Sequence, residues 1–339
     1  MVHDDTARLL DMVFGFIPAQ VVRTMATLDL ADRLADGPVA PAELAKAAEC
    51  HEPSLRRLLR AAAHLGLVVD KGDQGYELTS IGRLLRADVP GSAKFMAMQM
   101  SGEPTWSAAG RIDHTVRTGR PAVEHVFGKS SYEWMADNPR TQALFYQWMM
   151  DVARHDVPEL VAALDLTGVR DIVDVGGGNG ILMAGLLAAH PGLVGTVFDQ
   201  AASLTHTPAV LAEAGVADRC TLVAGDFLAD ALPEGRDAYL IKSTLSDWPD
   251  DDVVRILRAC HEAMREDSVL LVIDMVLPDG DTTAHPVALM SDLCTLACGG
   301  AVRTEREFGD LFASAGLRLV EIGGDQAATV VSILRAAKN

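Results

Sequence analysis

The sequence predicts an α/β chain in two parts: a helical, winged-helix-like N-terminal domain, and a doubly wound sheet of seven strands with the last strand antiparallel. Three observations predict it. From Asp171 onward, strand-like runs alternate with helix-like ones, which implies a parallel sheet with helices on both faces. Only "GGDQA" separates the last two strand-like runs. A parallel crossover needs about a dozen residues, so the final strand returns antiparallel if it pairs with its predecessor. Before residue 90 the pattern reads helix, helix, β-wing. At 339 residues the chain suits more than one domain. The expected divisions are 1–100, an N-terminal domain; 101–160, a helical linker and pocket segment; and 161–339, the sheet domain.

Residues 7–35 are expected to form a helix. Its apolar positions (Leu9, Leu10, Met12, Val13, Phe14, Phe16, Ile17, Val21, Val22, Met25) cover more than one face. A helix apolar all round must be covered, which in a first helix points to a subunit interface or to packing within its own domain. "PAELAKA" (41–47) and "PSLRRLLRAAAHL" (53–65, stopped at Gly66) follow as helices. "LVVDKGDQGYELT" alternates and turns at Gly72–Gly75, a β-hairpin. "TSIGRLLR" opens another helix, and helices continue to about Leu164 with turns at Gly102–Pro104, Gly119–Pro121 and Asn138–Pro139. The strands are expected at 171–175, 194–199, 220–224, 238–241, 268–275, 317–322 and 328–334.

Composition narrows the partners. The formal charge is −18, and Met1–Pro90 holds ten Lys/Arg against thirteen Asp/Glu. Nucleic acid and anionic membranes need a basic face, so neither is expected, and the winged-helix pattern reads as a dimerisation or lid device. No apolar run reaches the length of a membrane span. Five cysteines, an odd number with no CxxC pair, suit reduced thiols and a cytoplasmic protein. No histidines or cysteines show metal-site spacing. "CTLAC" places Cys294 and Cys298 one helical turn apart in an apolar segment, which reads as core packing.

Chemistry concentrates at the carboxyl ends of the strands, where open α/β sheets bind ligands. "DVGGGNG" (Asp174–Gly180) follows the first sheet strand and opens a helix. Glycines there let the backbone approach a ligand, and the helix N-terminus offers free N–H groups. Asp199 ends the second strand and can accept from both hydroxyls of a ribose. Asp226 follows the third strand in "GDF", with Phe227 beside it for an adenine face. Either acid alone suits a strand end or a helix cap; together, beside a glycine loop, they point to an adenosine ligand. After the fourth strand comes "KSTLSDWPDDD" (Lys242–Asp252), and Asp274 ends the fifth.

These segments, with "LIKSTLSDWPDDD" and "GGAVRTEREFGDLFASAGL", resemble the S-adenosylmethionine-dependent small-molecule O-methyltransferases, the group of plant caffeate-type and bacterial anthracycline-type enzymes. The resemblance covers nearly the whole chain, including the N-terminal dimerisation domain. It implies a homodimer and a small aromatic acceptor. It implies that Gly176 and Gly178 approach the methionine part of the cofactor, that Asp199 holds the ribose, and that Asp226 and Phe227 flank the adenine. Lys242, Ser243 and Trp248 would line the cofactor's other side. Phe145 and Met149 would sit near the transferring methyl and the acceptor, and Met290 and Leu293 on a wall of the acceptor pocket. His114, His125, His155 and His285 fall in or near acceptor-facing segments and read as surface or packed residues.

The catalytic position departs from the family. Relatives carry a histidine before "DW", flanked by two acids; the corresponding residues here are Ser246, Asp274 and Val302. A serine hydroxyl is no general base without an activator. Ser246 is expected to cap the following helix or to bond the acceptor, and Asp274 to bond the acceptor, act as base or cap. O-methylation is the expected reaction; C- or N-methylation, or non-methylating chemistry on the bound cofactor, is the alternative.

Overall fold

A computed structural model describes residues 2–280, 286–323 and 331–339. Packing divides the chain into two compact units: Met1–Gly110 with Ser131–Val152, and Arg111–Ser130 with Ala153–Asn339. The 101–160 segment expected to stand apart is thus divided between them.

The first unit opens with α1 (Val2–Val13), α2 (Phe16–Thr27) and α3 (Leu30–Arg33). The single helix expected over 7–35 is broken twice. The chain turns at Phe14–Gly15, and Asp29 takes a left-handed conformation at φ 52. Val21, Met25, Leu30 and Leu34 are buried with Leu44, Leu55 and Leu59, the inward faces of α4 (Pro41–Ala47) and α5 (Glu52–His64). The wing is β1 (Val68–Asp70) and β2 (Tyr76–Leu78), paired antiparallel. Its Gly75 has φ 95, and a Cβ there would meet the Val39 carbonyl at 2.1 Å, so only glycine fits. Thr79 caps α6 (Ser80–Arg83). In α7 (Lys94–Met100) the buried Lys94 pairs with Asp29 and Asp32 at 2.6 Å each, fixing α7 to α3. The short α8 (Thr105–Ala109) follows.

The second unit begins with α9 (Ile112–Thr118) and α10 (Ala122–Phe127). The chain re-enters the first unit with α11 (Ser131–Ala136), and α12 (Pro139–Ala163) leads into the sheet. The strands are β3 (Asp171–Val175), β4 (Val194–Asp199), β5 (Cys220–Ala224), β6 (Ala238–Lys242), β7 (Val269–Asp274), β10 (Leu317–Gly323) and β11 (Ser332–Lys338), in spatial order β10-β11-β7-β6-β3-β4-β5. β11 is antiparallel to both neighbours, with Ile333 opposite Ile273 and Gly323. The start of the last strand expected at 328–334 falls within 324–330, outside the described residues. At its other end the strand runs on through "RAAK", where Arg335 and Ala336 pair with both neighbours and Ala337 and Lys338 with β10. A short parallel pair absent from the sequence reading, β8 (Val276–Leu277) with β9 (Arg303–Thr304), joins the loops beyond β7.

Side chains alternate across the sheet. Val173, Val175, Tyr239, Ile241, Leu270 and Val272 face α15 (Asp250–Ala263) and α17 (Glu305–Ser314). Ile172, Val197, Leu240, Leu271 and Ile273 face α12, α13 (Ile181–Ala189) and α14 (Thr207–Glu213). The same alternation directs Asp174 to the α13 side and Asp274 to the α15 side, so two carboxylates enter opposite cores. The remaining helix, α16 (Pro286–Cys298), receives α9 and α10. Among the described residues no single helix is long and apolar enough to cross a membrane.

Candidate cofactor and acceptor site

The glycine loop leaves β3 through three left-handed residues, Gly176 (φ 75), Gly178 (φ 52) and Gly180 (φ 72), and Gly180 is the N-cap of α13. A Cβ on Gly180 would lie 2.5 Å from Thr207 Cγ2, and one on Gly177 would lie 2.6 Å from the Asp174 carboxyl. Loop and carboxylates are therefore packed as one body. Asp199 Oδ2 accepts from the Gly178 N–H at 2.8 Å and Oδ1 from the Gln200 N–H at 2.6 Å. Burial raises its pKa, and these amides pull it back. Ser203 also bonds this carboxylate, which still keeps acceptor capacity for a ribose hydroxyl.

Asp174 is 2% exposed, and its Oδ1 has no hydrogen-bond partner. Burial first, and Asp199 second, push its carboxyl up to about 7, against the attraction of Lys242. Lys242, at the end of β6, also opposes the burial that raises Asp156 on α12. One cation thus faces two carboxylates below the glycine loop. An orphaned buried oxygen beside three left-handed glycines fits a polar, adenosine-bearing cofactor.

Beyond β5, Asp226 Oδ1 accepts from Leu228 N–H at 2.9 Å, and its own N–H donates to Asp230 at 2.8 Å. That local turn aims Phe227 at the glycine loop: its Cε1 is 3.6 Å from where a Gly176 Cβ would stand. Trp248 meets Phe227 edge-on, with centroids 5.7 Å apart at 85°. Thr244 Oγ1 is 3.1 Å from the same Gly176 position. Ser243, left-handed at φ 50, donates its N–H to the Ile273 carbonyl at 2.8 Å.

Ser246 is not the cap of the following helix: it lies inside a 3-10 turn, Leu245–Asp247, and Pro249 occupies the N-cap of α15. It is 6% exposed, and Asp274 is 1% exposed. Asp274 Oδ2 accepts from the Ser246 N–H at 3.2 Å, Oδ1 accepts from Met275 N–H at 2.9 Å, and the Ser246 hydroxyl also bonds this carboxylate. Burial raises the Asp274 pKa while these bonds oppose it. The two candidate catalytic groups are thus buried and hydrogen-bonded to each other. Val302 is buried and donates its N–H to Asp292 Oδ1 at 2.9 Å.

The sequence reading missed three residues that build this turn. Gly300 lets the Ser246 carbonyl approach within 2.0 Å of where its Cβ would be. Asp292 holds the Val302 amide. Arg303, 2% exposed, bonds Asp250 and the carbonyls of Leu245, Trp248 and Ala301. The "RT" of "GGAVRT" was a legible signal, since an Arg in an apolar run needs partners.

On α16, Met290 and Leu293 are exposed at 60% and 42%, while Ala288 and Ala297 are buried. Cys294 and Cys298 are half-buried, and burial raises the Cys294 pKa. His114 and His125 stack on each other at 4.0 Å, which accounts for both; His155 is exposed, and His285 lies outside the described residues. Phe145 and Met149 are half-buried in the first unit, where Phe145 meets Tyr132 and Trp148 edge-on at 6.4 and 6.0 Å.

Comparison with known proteins gives the same outline. Residues 110–318 match the O-methyltransferase domain family, and 10–88 match the O-methyltransferase dimerisation domain. The chain is 35% identical over 336 residues to the O-demethylpuromycin-O-methyltransferase of Streptomyces alboniger, covering 97% of this chain and 88% of that protein. It superposes on the mitomycin 7-O-methyltransferase MmcR with a TM-score of 0.92 at 34% identity, covering 99% and 98% of the two chains. It also superposes on NcsB1, an O-methyltransferase from neocarzinostatin biosynthesis, with a TM-score of 0.83 at 33% identity, covering 95% and 96%. That protein was solved in complex with S-adenosylmethionine and 2-hydroxy-5-methyl naphthoic acid.

Proposed function

Because the chain belongs to the O-methyltransferase family, we propose that it methylates the hydroxyl of a small aromatic acceptor by positioning and desolvation, with no side-chain base. The reaction class is S-adenosylmethionine-dependent methyl transfer. When bound, the cofactor supplies an electrophilic methyl on a sulfonium sulfur. Gly176 and Gly178 give backbone access to its methionine part, Asp199 accepts from the ribose, and Asp226 and Phe227 take the adenine. Lys242, Ser243 and Trp248 complete that side; Met290 and Leu293 face the acceptor. The chain works as a cytoplasmic homodimer through its N-terminal domain, a reading supported by the dimerisation-family match and the apolar, exposed α1–α2 surface.

The closed Ser246–Asp274 pair carries the reading. A positioned base contributes roughly 10²–10⁴-fold, whereas orientation supplies about 7–11 kcal/mol. A phenol with pKa near 10 is only about one part in a thousand ionised at pH 7. A hydroxyl acidified by conjugation to a carbonyl is ionised to a far larger fraction at pH 7, and its proton leaves to water before the oxygen attacks. The acceptor class is therefore acidic aromatic hydroxyls. Incubation with methyl-labelled cofactor and a panel of acidic phenols and aromatic amines tests it. Label on the oxygen of acidic phenols supports the reading; tight cofactor binding with no labelled product across the panel contradicts it.

A further inference from the structure

Arg303 uses all five of its N–H donors. Nε and Nη2 donate to Asp250 Oδ1 at 2.9 and 2.7 Å. Nη1 donates to the Leu245 and Ala301 carbonyls at 2.9 and 3.2 Å, and Nη2 to the Trp248 carbonyl at 2.8 Å. The guanidinium is buried while the carboxylate it hydrogen-bonds, Asp250, is 72% exposed. A cation so placed is held mainly by backbone carbonyls, and those carbonyls bracket one turn, Leu245–Trp248. Trp248 stands edge-on to Phe227, which reaches the glycine loop at Gly176. The Ala301 amide donates to the Ser246 carbonyl at 3.0 Å, so the same arginine ties the α16–β9 connection to this turn.

We propose that Arg303 is a positioning residue for the cofactor site: it sets the turn that places Trp248 against Phe227, and so shapes the adenine face. The inference rests on the cofactor reading above. A lysine cannot replace the fork, because a single ammonium reaches at most three of these acceptors and lacks the planar geometry.

The test is binding of S-adenosylhomocysteine to the full-length protein, measured by titration calorimetry and by Trp248 fluorescence, with Trp248→Phe assigning the signal. Arg303→Lys is expected to weaken binding about tenfold or more, as the loss of charge-assisted bonds implies, and to blunt the Trp248 response. Asp250→Asn, altered at an exposed carboxylate, is expected to weaken binding by a few-fold with the fold retained. A purely structural role would lower the melting temperature and leave the affinity of the folded protein unchanged. Affinity within twofold of wild type in folded Arg303→Lys overturns the proposal while wild-type binding stands. Should Arg303→Lys fail to fold, unchanged affinity and unchanged Trp248 response in Asp250→Asn overturn it. Wild-type protein that does not bind S-adenosylhomocysteine overturns the cofactor reading itself, and this inference with it.

Discussion

Ser246 and Asp274 stand where the resemblance implies a base, and their hydrogen bonds bear on what each can do. The hydroxyl and amide of Ser246 both point at Asp274, and the second Asp274 oxygen is taken by Met275. At 1% exposed, Asp274 is also shut away from solvent. Ser246→Ala is therefore expected to keep kcat within about threefold, since one inward-facing neutral hydrogen bond is lost. Asp274→Asn is expected to lower stability by about 1–3 kcal/mol, the cost of disturbing a buried polar group, while turnover of the folded enzyme stays near wild type. A fall in kcat of about 10²–10⁴, the worth of a positioned base, would contradict this. Asp174 makes a different prediction. Its folded pKa, about 7, is above the ordinary 3.8, so the folded state binds the extra proton between those values. Stability from this group is then lost as pH rises through that window, on the order of 4 kcal/mol in full. Urea unfolding at pH 5 and pH 8 checks it: wild type should lose more stability across the interval than Asp174→Asn, and equal losses would refute the assignment. The residues named from the sequence were legible because glycine and carboxylate at strand ends carry chemistry by type. Arg303 left a signal in "RT" that went unused, whereas Asp292 and Gly300 left none, because nothing in their type names the Val302 amide or the Ser246 carbonyl they meet.

At the scale of elements, β3–loop–α13 is the unit on which cofactor binding depends. Gly180→Ala puts a methyl 2.5 Å from Thr207 in a left-handed conformation, so cofactor affinity is expected to fall by at least about tenfold, strain of about 1–2 kcal/mol being the minimum. Calorimetric titration of the cofactor measures it, and an unchanged affinity would sink the role given to the loop. The α1–α2 segment carries the second expectation. Leu9, Leu10, Met12, Val13, Phe14, Phe16 and Ile17 are all 45% exposed or more in one chain, against about 1.5–3 kcal/mol for each such side chain buried. Phe16→Asp is expected to yield monomers in sedimentation velocity and to remove the concentration dependence of Tm; a variant still dimeric would place the interface elsewhere. The apolar run was readable as something to be covered, but not its breaks at Gly15 and Asp29, which are local turns within an otherwise helical pattern. The first five sheet strands were placed within a residue because apolar runs mark them. The end of β11 at Lys338 was not, because "RAAK" has no strand signal of its own and owes its conformation to its neighbours.

For the molecule as a whole, the alternation of strand and helix announced the sheet, and the short final connection announced the reversal of β11. The division into units was harder to read. No glycine- or proline-rich linker marks it; instead α9–α10 packs on α16 while α11 and the start of α12 pack with the N-terminal helices. The acceptor's identity was illegible for the same reason, since its candidate contacts come from helices far apart in the chain. The account's central claim is methyl transfer to an acidic hydroxyl without a protein base. The direct measurement is the rate of labelled methyl transfer, as a function of pH, across a series of phenols graded in pKa. The account predicts that the rising limb of each profile tracks the acceptor's own pKa, and that the rate at pH 7 falls up to about tenfold per unit of acceptor pKa above 7, following the ionised fraction. A limb fixed at one pH for every acceptor would reveal a protein base and contradict it.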